Sequence, residues 1–190
     1  MLIGNEFRTI LITGGAGFIG SALVTKLLDY ENCKIINLDK FGYASDLTKI
    51  QLKLKNSSAK VKNNYKFLKI DLCDYKSTFE AIMYAKPDLI FHLAAETHVD
   101  RSIESASPFI KSNIIGTYNL LDATLQYWNS LTLDKKDFFR LIHISTDEVY
   151  GSLKFNNKFN EESSYAPNSP YSASKASSDM LVRAWNKTYL

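Results

Sequence analysis

The sequence predicts a doubly wound α/β fold, a parallel sheet covered by helices on both faces. Two observations carry this reading. Five short apolar runs alternate with segments of helical spacing, and the first run ends in a glycine cluster that opens a helix. Strands buried on both faces read as unbroken apolar runs, as these do, whereas a strand with one wet face alternates. With 45% hydrophobic and 23% charged residues over 190 positions, the chain has material for one sizeable core and is not a disordered composition.

The elements follow in order. Arg8-Thr-Ile-Leu-Ile-Thr13 is the first strand, and Phe18 to Tyr30 follows helical spacing. Lys34 to Asp39 and Tyr65 to Ile70 are the second and third strands. Ser77 to Ala85 is a helix stopped before Pro87, and Asp88 to Leu93 is the fourth strand. A long helix is expected from Pro108 to Trp128, with Ile110, Ile114, Leu121 and Leu125 near one face. Phe139 to Ser145 is the fifth strand, and a last helix starts near Pro170. Two polar stretches, Lys55 to Asn64 and Leu153 to Ser169 (with Asn156, Asn157, Asn160, Glu161 and Glu162), read as loops within one domain.

Charge and cysteine usage exclude several classes. Seven of the 23 basic residues are lysines between Lys49 and Lys69, with no acid among them, and the rest of the chain is net acidic. That segment has no arginine, and its aromatic pair, Tyr65 and Phe67, falls in a strand. It reads as a solvated face, and no nucleic-acid partner is expected. No run is long and apolar enough for a membrane span, and Met1 to Arg8 lacks the pattern of a secretory signal. Cys33 and Cys73 lie far apart without metal-ligand spacing, so the expectation is a cytoplasmic protein with reduced thiols and no metal.

The chemistry sits in three clusters. Gly14, Gly17 and Gly20 lie between the first strand and its helix. Glycines there allow a tight turn, close approach of backbone to a pyrophosphate, and close packing of the helix, whose N-terminus attracts phosphate. Asp39 ends the second strand, 19 residues past Gly20, where a carboxylate binds ribose hydroxyls and repels a 2′-phosphate. Together they predict a Rossmann dinucleotide site for NAD rather than NADP. Ser145-Thr-Asp-Glu148 follows the fifth strand at its carboxyl end, where α/β sheets bind ligands. Tyr171 and Lys175 share a helix face at a spacing of four, and a neighbouring ammonium is expected to lower the phenol's pKa toward a usable base. Asp147 and Glu148 read either as a solvated turn or as an acid and a base over one substrate.

The glycine turn, His92-Leu-Ala-Ala-Glu-Thr-His-Val-Asp-Arg-Ser102, Ser112 to Thr117, Ser145 to Gly151 and Pro170 to Lys175 together resemble the dTDP-glucose 4,6-dehydratases. These are NAD-dependent sugar-nucleotide enzymes of the extended short-chain dehydrogenase family, and the resemblance runs from Thr9 to about Trp185. The Asp147–Glu148 pair is the specific part, because epimerases of the superfamily usually lack it. The resemblance implies Thr146, Tyr171 and Lys175 as the oxidising set, Glu148 as the base for the sugar's 5-hydrogen and Asp147 as the acid for its 6-hydroxyl. It places Phe18, Ile19, Asp39, Lys40, Asp71, Leu72, Leu93, Ala94, Ala95, Glu96 and Ser112 around the cofactor, with Thr97 and Thr146 touching the sugar. It also implies a homodimer through the long and last helices, with Met180, Leu181 and Trp185 burying apolar area. Family members continue past Leu190 into further strands and a substrate domain. The 190 residues are therefore expected to form a partial Rossmann domain, its sheet incomplete at the C-terminal edge and inactive alone. Two alternatives stay open: a UDP-glucose 4,6-dehydratase relative, and a silent NAD-binding remnant.

Overall fold

The computed structural model describes residues 8–153 and 158–189. The N-terminal stretch through Phe7, and Asn156 and Asn157 of the second polar stretch, lie outside them. Five parallel strands form one sheet in the order β3-β2-β1-β4-β5: β1 Thr9–Thr13, β2 Lys34–Asp39, β3 Tyr65–Lys69, β4 Leu89–His92 and β5 Arg140–His143. The chain starts in the middle, winds outward through β2 and β3, then crosses β1 to add β4 and β5. That reversal leaves a crevice at the carboxyl ends of β1 and β4.

Side-chain alternation in the strands builds two cores. Leu11, Ile36 and Ile90 point to the face covered by α4 (Tyr75–Ala85) and α6 (Gly116–Asn129), where Ile82 and Leu120 meet them. Ile10, Ile12, Ile35 and Leu89 point to the other face, closed by Val24 and Leu27 of α1 (Phe18–Leu27) and Ile50 of α2 (Thr48–Lys55). Both faces are dry over the central strands β1, β2 and β4, which read as apolar runs, whereas the outer strands β3 and β5 carry exposed Lys66, Lys69 and Arg140. The buried ring of His92 is held neutral, its pKa well below the usual value because of burial. Thr13 Oγ1 accepts from the Ala94 N–H and meets His92 Nδ1 at 2.7 Å; Nε2 meets Thr117 Oγ1 at 2.9 Å. The ring thereby joins β1, β4 and α6 at the crevice.

Several expectations are corrected. The stretch Lys55 to Asn64 is not all loop: Ala59–Asn64 forms α3, capped by Ser58, which accepts from the Val61 N–H. The helix from Phe18 stops at Leu27 rather than Tyr30. Short helices α5 (Val99–Glu104) and α7 (Leu133–Phe138) also appear where no periodicity marked them. The helix expected from Pro108 to Trp128 is a continuous rod of three winds. A turn at Ser107–Phe109 passes into a π-helical segment, Ile110–Ile115, and then into α6. The looser winding shifts the phase, so Ile110 is exposed and Asn113 buried, and Ile110 and Leu121 do not share the core face. After β5 come a 3₁₀ turn at Asp147–Tyr150 and the last helix, α8 (Pro170–Tyr189).

Candidate functional site

The crevice is a cleft of about 460 Å³. Its floor is the glycine turn. Gly14 has φ +71°, and a Cβ there would lie 2.6 Å from Ala94 N; a Cβ at Gly20 would collide with the Gly14 carbonyl oxygen. The glycine at 20 therefore lets α1 close onto its own turn, more than onto the strand. Gly17 is the N-cap of α1 and gives it no side-chain cap, so the first-turn N–H groups face the cleft. Phe18, 85% exposed, and Ile19 flank this end.

Asp39 sits opposite, at the end of β2. Its Oδ2 accepts from the Ala16 N–H (3.0 Å), and Oδ1 from the Phe41 N–H (2.7 Å) and the Ser45 hydroxyl (2.9 Å). These bonds aim the carboxylate, filling both acceptor positions of Oδ1 and leaving one on Oδ2. Lys40 pairs with Glu96 at 2.5 Å across the cleft mouth, joining the loops after β2 and β4. Half-exposed pairs of this kind add at most about 1 kcal/mol, so its effect is to fix the two loops. Asp71, Leu72, Leu93, Ala94, Ala95, Thr97 and Ser112 also line the cleft. Asn113, from the π segment, fixes Glu96: it accepts from the Glu96 N–H and donates to the Glu96 carbonyl and Ser174.

Thr146, Tyr171 and Lys175 line the far end of the cleft. The Tyr171 N–H donates to Ser102 Oγ (3.1 Å), and its ring lies edge-on to Phe109. Lys175 is buried and donates to the Ile144 carbonyl at 2.7 Å. The expectation of a lowered phenol is corrected: burial pushes Tyr171 above its ordinary value, and the hydrogen bond with the Thr146 side chain offsets this only in part. Glu148, Asp147 and Asp179 push it the same way as burial. Burial likewise lowers Lys175.

Asp147 and Glu148 are exposed on the 3₁₀ turn just past the cleft rim. Thr146 Oγ1 accepts from the Glu148 N–H (3.3 Å), and the Val149 carbonyl accepts from the Ala166 N–H (2.9 Å), so the acid turn is pinned at both ends. Two parts of the site were not picked out from the sequence. Tyr43 lines the mouth beside His98, with the Arg101 guanidinium 3.9 Å from its ring centroid. Asp179, one helical turn beyond Lys175, gathers His143, Ser145 and Tyr165; its spacing of four from Lys175 was the available clue.

The sequence model of the GDP-mannose 4,6 dehydratase family matches residues 11–190. The chain belongs to that family. Within the GDP-mannose 4,6 dehydratase family it is 48% identical over 191 residues to the dTDP-glucose 4,6-dehydratase of Escherichia coli, covering 95% of this chain and 51% of that protein. Among solved structures, the dTDP-glucose 4,6-dehydratase of Bacillus anthracis in complex with NAD superposes with a TM-score of 0.78 at 38% identity, over 96% of this chain and 51% of that one. The Streptomyces venezuelae dTDP-glucose 4,6-dehydratase, also crystallised with NAD, gives 0.79 at 36% identity, over 95% and 52%. The chain spans about half the length of the family members it matches.

Proposed function

We propose that the whole protein is a dTDP-glucose 4,6-dehydratase that uses NAD. The observation that carries the reading is the acid turn at Asp147–Tyr150, which directly follows Thr146 at the end of the cleft and packs against α8, the helix that brings Tyr171 into the same cleft. The relatives named above support the nucleotide-sugar class.

The cleft fits the cofactor, with an uncapped helix start for the pyrophosphate and Asp39 for the ribose hydroxyls. When bound, NAD supplies a reversible hydride acceptor and a positively charged ring that favours the ionised phenol. Tyr171 takes the proton of the sugar 4-hydroxyl, with Thr146 lining the same end of the cleft and Lys175 placed by the Ile144 carbonyl. The 4-ketone formed acidifies the 5-hydrogen, which Glu148 removes. Asp147 protonates the departing 6-hydroxyl as water. The hydride taken from carbon 4 would end on carbon 6 while the proton held by Glu148 returns to carbon 5, so the product is a 4-keto-6-deoxy sugar. Thr97 and Thr146 contact the sugar. Incubating the whole protein with NAD and dTDP-glucose should give the keto-sugar's absorbance in alkali, and no product would overturn the reading.

Lys40 strengthens the preference for NAD, because its ammonium is already matched by Glu96 and is not free for a 2′-phosphate. Calorimetry should show NAD bound at least about tenfold tighter than NADP. Equal or tighter NADP binding would remove Asp39 from that role.

The π segment with α6, together with α8, forms the proposed homodimer face. Ile110, Ile115, Tyr118, Met180 and Tyr189 are exposed along it. Trp185 instead packs edge-on against Tyr118 and covers the seam between the two helices. Sedimentation of the whole protein should give a dimer, and a monomer at micromolar concentration would count against this face. No helix among the described residues is long and apolar enough to cross a membrane, and Cys33 and Cys73 are free thiols. The free thiols suit a cytoplasmic enzyme.

A further inference from the structure

We propose that Asp179 is a positioning residue for the reaction, clamping the end of β5 so that Thr146 and the acid turn stay in register with Tyr171 and Lys175. This rests on the dehydratase reading. Three donors from separate parts of the chain converge on this one carboxylate. His143 Nε2 of β5 donates to Oδ1 at 2.9 Å, while Ser145 Oγ and the Tyr165 hydroxyl (2.9 Å) donate to Oδ2. Lys175, one turn earlier on the same helix, donates to the carbonyl of Ile144, the residue between His143 and Ser145. Adjacent turns of α8 thus hold three consecutive residues, and the next residue along is Thr146.

The arrangement is costly unless it does something a neutral residue cannot. The side chains of His143 and Asp179 are 7% and 9% exposed, and hydrogen bonds to an ionised acceptor are about twice as strong as neutral ones. Burial pushes the Asp179 carboxyl up, but bonds from His143, Ser145 and Tyr165 outweigh it and hold the group below its usual value. The anion therefore persists beside the site. There it faces His143 from β5, Tyr165 from the polar stretch, and Lys175 and Tyr171 from its own helix. Tyr171 also faces Asp147 and Glu148 from the 3₁₀ turn. The negative charge raises both Tyr171 and Lys175.

The test uses the whole protein and the variants Asp179→Asn, Ser145→Ala and Tyr165→Phe. Asp179→Asn should lower kcat about tenfold or more, since small misplacements of reacting groups are that costly, while NAD affinity stays within about twofold. The phenol titration that disappears in Tyr171→Phe, followed in the ultraviolet, should move to lower pH in Asp179→Asn because a negative charge has gone. Ser145→Ala should lower kcat without moving that titration. Unchanged kcat in both Asp179→Asn and Ser145→Ala would overturn the proposal. So would a kcat loss matched by an equal loss of NAD affinity with an unmoved titration, the signature of a purely structural role. If Asp179→Asn does not fold, Ser145→Ala and Tyr165→Phe decide it, and unchanged kcat in both overturns it. Wild-type protein that converts no dTDP-glucose would instead overturn the dehydratase reading, while the phenol titration still tests Asp179.

Discussion

In Glu148→Gln, turnover should fall about 10²–10⁴-fold, the usual contribution of a positioned general base, while the first oxidation continues. The amide has the shape of the carboxylate but cannot take the 5-hydrogen. The position itself should not move, because it is the Glu148 backbone N–H that donates to Thr146 Oγ1 and the side chain is exposed. Two readouts separate this from general damage. Solvent-deuterium exchange at carbon 5 should disappear, and reduced cofactor should accumulate on mixing with dTDP-glucose. Normal turnover by this variant would remove Glu148 from the mechanism.

Tyr171→Phe should fail one step earlier, with no reduced cofactor at any time and a loss of about 10²–10⁴-fold or more in the oxidation rate. The fold should tolerate it. The backbone bond to Ser102 and the edge contact with Phe109 survive, and only the phenol oxygen goes. In the unmodified protein, burial holds the phenol high, so its ionised form grows as pH rises and the oxidation rate should climb with it on the acid side. That rising limb should vanish with the phenol. Reduced cofactor in Tyr171→Phe at the normal rate would pass the base role to another group.

The central strands β1, β2 and β4 were legible because both faces of the sheet are dry there, so each reads as an apolar run whatever its register. The outer strands β3 and β5 were legible through the apolar residues beside exposed Lys66, Lys69 and Arg140. Helices α2 and α3 were not, since each buries only one residue, Ile50 and Val61, and one anchor gives no periodicity. The glycine turn and the Tyr171–Lys175 pair were legible because each is set by spacing within one turn or helix, and Asp39 because it ends a strand that was itself legible. Asp179 was missed because its partners are 14 to 36 residues away in sequence, and Asn113 because its links to Glu96 and Ser174 span 17 and 61. The raised phenol was missed for a related reason: charge pairing can be read from spacing, whereas burial is a property of the assembled fold.

The π-helical segment at Ile110–Ile115 makes the chain length here functionally strict. A helical residue contributes roughly 100° of turn, so removing one residue from the segment at unchanged winding would rotate everything before it by about that angle relative to α6. Asn113 then could not keep both of its grips, on the Glu96 backbone and on Ser174, while Gly116 and Leu120 kept theirs on the core. An insertion would err by a similar angle in the opposite sense. Surface loops absorb length changes, but this rod works as a vernier between the cleft and the core. Substitutions along it should be tolerated far better than a change of one residue in its length.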